Sequence, residues 1–143
     1  MKKNAVISVV SKQQNDDEDV ITVVTPGKYY NRNDKYYAVY EESELSGMEG
    51  TTTTLKIEDD MFTLLRSGTV NTKMIFKNKE KNHLLYVTSH GSLGLTMEVK
   101  SVHININDMG GDISAKYDLE ITPGNVLPTE IKININTEDI TAE

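Results

Sequence analysis

The chain is expected to be all-β and to form a single antiparallel up-and-down β-barrel of about 8–10 strands. Three observations lead there. Apolar and polar residues alternate with period two from end to end, and no segment sustains a 3.6-residue period over three turns. Most connections between alternating stretches are about two to six residues, whereas a parallel crossover needs about a dozen. The longest stretch, Ser92 to Asn107, changes phase halfway along. A sequential meander either closes into a barrel or splits into a sandwich. Closure removes exposed edges and is favoured by bent strands.

Ala5-Ile7-Val9 and Val20-Thr22-Val24 mark the two opening strands, on either side of the acidic run Asp16-Asp17-Glu18-Asp19. A turn at Asn31-Arg32-Asn33-Asp34 leads into the tyrosine- and valine-rich stretch Lys35 to Ser43. Thr51-Thr53-Leu55-Ile57 reaches a tight hairpin at Asp59-Asp60, and Met61 to Ser67 returns. Asn71 to Lys77 places Met74 and Phe76 on one face with Lys73 and Lys77 on the other, and His83 to His90 follows, turning at Gly91-Ser92. Leu93, Leu95, Met97 and Val99 then alternate in one phase and Val102, Ile104 and Ile106 in the opposite one. A slip near Lys100-Ser101 is what a β-bulge produces: one inserted residue restores the apolar face after a bend. At about 3.3 Å per residue a straight strand over this stretch would measure roughly 50 Å, longer than a small domain accommodates. Met109-Gly110-Gly111 turns the chain into Ile113-Ala115-Tyr117-Leu119-Ile121. A loop from Pro123-Gly124 to Pro128 connects to the last strand, Ile131-Ile133-Ile135.

The 143 residues suit one domain, taken as 1–143. The apolar fraction of 37% is modest for a two-layer protein, so some inward faces are expected to be polar or an interior partly wet. With 22 acidic against 15 basic residues the formal charge is −7, which argues against nucleic acid or an anionic membrane as partner. Arg32 and Arg66 are the two arginines, and the lysines are scattered. No cysteine is present, which excludes disulfides, thiolate metal sites and a cysteine nucleophile. Met1-Lys2-Lys3 and the apolar run after it imitate a signal peptide, but Ser8 and Ser11-Lys12-Gln13 interrupt the run too early. A cytoplasmic protein is expected.

Tyr40-Glu41-Glu42, Ser46-Gly47-Met48-Glu49-Gly50-Thr51-Thr52-Thr53, Arg66-Ser67-Gly68, Met74-Ile75-Phe76, Tyr86-Val87-Thr88-Ser89-His90-Gly91, and Tyr117-Asp118-Leu119-Glu120 after Gly110-Gly111 occur in this order. As a set they resemble the YwiB-like family, a bacterial domain of unknown function. The resemblance covers almost the whole chain. It implies a lipocalin-like (calycin) barrel of cytoplasmic character, and it brings no activity. With no tryptophan, the chain lacks the Gly-x-Trp signature of the secreted lipocalins.

Two constellations are candidates for binding. On the strand Met61 to Ser67, Arg66 shares a face with Phe62 and Leu64, and Glu42 shares one with Tyr40, Ala38 and Tyr36. If both faces point inward, Arg66 and Glu42 form either an anion or carboxylate clamp in a barrel mouth or a structural ion pair; a buried guanidinium needs such a partner. Tyr86, Thr88 and His90, with Tyr117 as neighbour, could orient a polar ligand, the bland alternative being β-propensity and an exposed rim histidine. His83, His90 and His103 lack zinc-ligand spacing, and the acidic run lacks the alternating ligands, glycine and distal glutamate of a calcium loop. Gly47-Met48-Glu49-Gly50 before four threonines allows close backbone approach or positive φ, with no base beside a nucleophilic threonine. No catalytic or phosphate-binding motif occurs, and no cofactor is expected. The expected function is a non-enzymatic barrel holding a small or amphipathic ligand, with Arg66, Glu42, Tyr40, Tyr86, Thr88, His90 and Tyr117 as binding residues. The alternative is a structural or interaction module, a homodimer with a filled barrel.

Overall fold

In the computed structural model, which describes residues 2–13 and 20–137, the alternating stretches become ten strands. They are β1 (Lys3–Gln13), β2 (Val20–Arg32), β3 (Lys35–Glu41), β4 (Thr51–Ile57), β5 (Met61–Gly68), β6 (Val70–Lys77), β7 (Lys81–Thr88), β8 (Gly91–Asn107), β9 (Gly110–Thr122) and β10 (Asn125–Asn136). Each pairs antiparallel with its sequence neighbour, and β1 closes the ring on β10 from Val6↔Asn136 to Gln13↔Thr129. An even number of strands lets the ring close without a parallel seam. Among the described residues the one helical element is a 3₁₀ turn, Glu44–Ser46, capped by the Ser43 side chain. No helix is long and apolar enough to cross a membrane.

The phase slip is a bulge. Val99 pairs with Tyr117 and Ser101 with Lys116, leaving Lys100 unmatched in β8. Val99 also exchanges backbone bonds with the β6–β7 turn, donating to the Glu80 carbonyl at 2.8 Å and accepting from the Lys79 N–H at 3.1 Å. The bend thus falls where β8 leaves β7 and continues along β9 alone.

Some boundaries differ from the sequence expectation. β2 runs through Pro26-Gly27 to Arg32, and the turn narrows to Asn33-Asp34, both at positive φ. The expected Pro123–Pro128 loop is a two-residue turn, and Pro128 lies inside β10. Pro128 is tolerated because it pairs with β9 at Asp118, while the β1 ladder ends at Thr129, so its missing N–H leaves no gap on that side. Ser43 and His90 fall outside strands. The acidic run Asp16-Asp17-Glu18-Asp19 lies outside the described residues.

One end of the barrel is packed solid. Phe62 and Phe76 stack at 4.6 Å, Tyr117 meets Phe76 edge-on at 5.0 Å, and Ile7, Leu55, Ile57, Met97, Ile113 and Ile133 fill the space around them. Tyr29 and Tyr36 stack beneath, with the Tyr29 hydroxyl donating to the Asn107 carbonyl and the Tyr36 hydroxyl to the Asp108 carboxylate. Gly110, at φ 108°, is held where a Cβ would lie 2.1 Å from the Ile135 carbonyl oxygen, so only glycine lets β9 start that close to β10.

Candidate functional site

Toward the other end the side chains stop meeting. A chamber of about 260 Å³ opens there, lined by residues from nearly every strand and by Ser46 and Met48 of the β3–β4 connection. The wall is uneven: β3 to β7 are 7–8 residues long, whereas β1, β2 and β8 to β10 are 11–17. The low wall carries the charge. The tall wall is mainly apolar, with Val9, Ile21, Val23, Leu95, Leu119 and Ile131 facing the chamber.

Alternation places the polar group. Phe62 and Leu64 are buried, so Arg66, two residues further along β5, also points inward. Ala38 and Tyr40 do the same for Glu42, which is 7% exposed just past the end of β3. Its N–H donates to the Thr51 carbonyl, carrying the β3–β4 pairing one step beyond the strand. In the threonine run, Thr51 and Thr53 face inward, fully buried, and Thr52 and Thr54 outward. Thr53 donates its hydroxyl to the Glu42 carboxylate at 2.5 Å, and on the outer face Thr52 donates to Glu41 at 3.0 Å.

Arg66 and Glu42 are neighbours without being hydrogen-bonded. Arg66 Nε lies 3.9 Å from Glu42 Oε2, beyond bonding distance, and this buried N–H has no acceptor. Among the described residues the guanidinium donates no hydrogen bond at all. The carboxylate accepts instead from the Thr53 hydroxyl, with the Tyr40 phenol among the groups that feel its charge. Burial, then the charge of Glu42, pushes the Tyr40 phenol above its ordinary pKa, while Arg66 pulls it back. Burial raises Tyr117 to about 12, again opposed by Arg66. Both phenols are therefore neutral donors at physiological pH.

The β3–β4 connection covers the low wall. Gly68, at φ 140°, sits where a Cβ would approach the Gly50 carbonyl oxygen to 2.2 Å. Thr69 donates to the Glu49 carbonyl at 2.8 Å, and its hydroxyl meets that of Thr51 at the same distance. These contacts fix the connection at the edge of the chamber.

The structure brings together Arg66, Glu42, Tyr40, Tyr86 and Tyr117 around one space. It does not bring Thr88 or His90 to the lining of that space. β7 ends at Thr88, whose hydroxyl accepts the His90 N–H at 3.1 Å and donates to the Gly91 carbonyl at 3.3 Å; His90 is exposed in the turn. Turn formation takes up the Thr88 hydroxyl. Sequence reasoning missed Ser46, Met48, Thr53 and Thr129. The alternation Thr51-Thr53-Leu55-Ile57 did carry the signal for Thr53, whereas loop residues such as Ser46 and Met48 carry none in their periodicity.

This arrangement can orient an acceptor-bearing molecule against a fixed cation and two phenols. Among the described residues no group of three or more histidines, aspartates or glutamates gathers to hold a metal.

The domain of unknown function DUF1934 matches residues 7–135. The uncharacterized β-barrel protein YwiB of Bacillus subtilis (strain 168) is 29% identical over 125 residues, covering 85% of this chain and 86% of its own. The crystal structure of ywiB protein from Bacillus subtilis superposes with a TM-score of 0.84 at 24% identity, covering 95% of this chain and 92% of that one, a likeness of fold. The family match spans the barrel from β1 to β10 and takes in every wall of the chamber, and on that extent the chain belongs to the DUF1934 family.

Proposed function

We propose that this protein is a non-enzymatic, lipocalin-like binding barrel that holds a small amphipathic molecule in its open half. The observation that carries the reading is the guanidinium of Arg66, facing the chamber with no hydrogen bond from any described residue. The buried Nε–H without an acceptor is costly and is ordinarily completed by a partner, and the chamber offers the room for one. The division into a polar low wall and an apolar tall wall supports a ligand with the same division.

Thermal-shift measurement with a panel of short amphipathic molecules tests this, using the wild type beside Leu119→Trp, whose larger indole intrudes on the chamber from the tall wall. A ligand held only by the folded state at about a hundred times its Kd stabilises by about 2.7 kcal/mol, enough to raise the Tm by several degrees. The reading expects a rise for the wild type and none for Leu119→Trp. No rise for any compound, or equal rises for both proteins, would refute it.

A further inference from the structure

We infer, resting on the binding reading above, that the ligand is a small organic monocarboxylate, its head seated on Arg66 and its apolar body against the wall formed by Leu95, Leu119 and Ile131. The charge of Glu42 does not occupy Arg66. The carboxylate already takes the hydroxyl of Thr53, and at 3.9 Å from Nε it is beyond hydrogen-bond distance of that buried N–H, which has no acceptor. A planar fork of N–H groups matches the two oxygens of a carboxylate, and charge-assisted bonds of that kind are about twice as strong as neutral ones.

The number of charges is limited from the other side. Glu42 lies beside the seat and the whole chain carries −7, so a second negative charge on the ligand would have no cation to meet it. No lysine lines the chamber. That favours a singly charged carboxylate over a phosphate. Size gives a third limit, since about 260 Å³ is roughly the share of nine waters in the liquid, room for a short chain or a single ring and not for a long lipid. The apolar residues continue from Leu119 and Leu95 to Ile121, Leu93 and Ile21 at the rim, 40–48% exposed, so a tail can point outward along the tall wall.

Isothermal titration of the full chain with octanoate, 1-octanol and octyl phosphate tests the inference. Octanoate should bind at least about tenfold tighter than either of the others. Arg66→Met should weaken octanoate by about tenfold or more and leave octanol within about twofold. Should that variant fail to fold, Arg66→Lys, which keeps the charge without the fork, should give an intermediate octanoate affinity with octanol unchanged. Equal binding of octanoate and octanol by the wild type, lost in Leu119→Trp, would overturn the carboxylate inference and leave the chamber reading standing. Tighter binding of octyl phosphate would overturn the limit to one charge. No binding of any of the three would overturn both the inference and the reading it rests on.

Discussion

Replacing Arg66 by methionine separates a binding cation from a structural one. At 3.9 Å two unit charges attract by about 4 kcal/mol at an effective dielectric of about 20 and by about 1 kcal/mol in water. Against that stand the desolvation of the guanidinium, several kcal/mol, and an Nε–H with no acceptor, which costs about 1–3 kcal/mol. These terms nearly cancel. Methionine keeps the length of the side chain, and Glu42 keeps the Thr53 hydroxyl as donor. Arg66→Met should therefore change the unfolding free energy by less than about 1 kcal/mol, read from the urea midpoint at constant slope. Thr53→Val should cost more, about 1.5–3 kcal/mol, because it removes a buried hydroxyl that donates to the carboxylate. The order of the two effects is the decisive point. A loss of 3–5 kcal/mol for Arg66→Met, the size expected when a buried ion pair is broken, would show that Arg66 belongs to the framework and would refute the reasoning.

Three further outcomes follow from the packing. Phe76→Ala removes a fully buried ring that stacks on Phe62 and meets Tyr117, and should cost about 3–5 kcal/mol in the same urea experiment; a cost under about 1 kcal/mol would mean that the closed end is not solid. Tyr117 holds its proton to about pH 12 in the folded state, whereas the unfolded phenol ionises near 10, so the unfolded chain binds fewer protons between those values and stability falls as pH rises through them. Chemical denaturation should show a loss of roughly 2–3 kcal/mol from Tyr117 across that window, absent in Tyr117→Phe, whose remaining slope comes from the raised Tyr29 and Tyr40, and an unaltered slope in that variant would contradict the burial. The β6–β7 ladder has two register pairs, Val70↔Thr88 and Asn71↔Val87, and beyond them Thr72 and Asn82 side chains bond to the Leu85 and Ile75 carbonyls across the seam. Amides facing that seam should exchange hydrogen faster than those of the β8–β9 ladder; uniform protection around the ring would contradict it.

Much of the fold was legible because alternation reports directly which face is inward. The pattern through Leu93–Val99 and Val102–Ile106 located the bulge at Lys100, and the pattern through Phe62 and Leu64 put Arg66 inside. It failed where backbone chemistry outweighs pattern. Pro128 reads as part of a loop, yet it lies within β10, beyond the end of the β1 ladder. Thr88 and His90 share the parity of Tyr86, but β7 ends at Thr88, whose hydroxyl is taken up by the turn, and His90 lies beyond the strand. The depth of the chamber could not be read from alternation, because period two says which side chains point inward and not whether they meet. Phe62, Phe76 and Met97 meet at one end; Leu64, Arg66 and Leu119 do not fill the other.

The most direct test of a hollow, ligand-holding half is a ¹H–¹⁵N NMR titration of the wild-type chain with octanoate, following assigned amides and the Arg66 Nε–H. The account predicts saturable shifts concentrated at the Arg66 Nε–H and at Val9, Tyr40, Leu64, Leu119 and Ile131, with the Phe62 and Ile113 amides of the packed end unmoved. Shifts confined to the outer faces of the strands, or an Arg66 Nε–H that does not move at saturation, would contradict it.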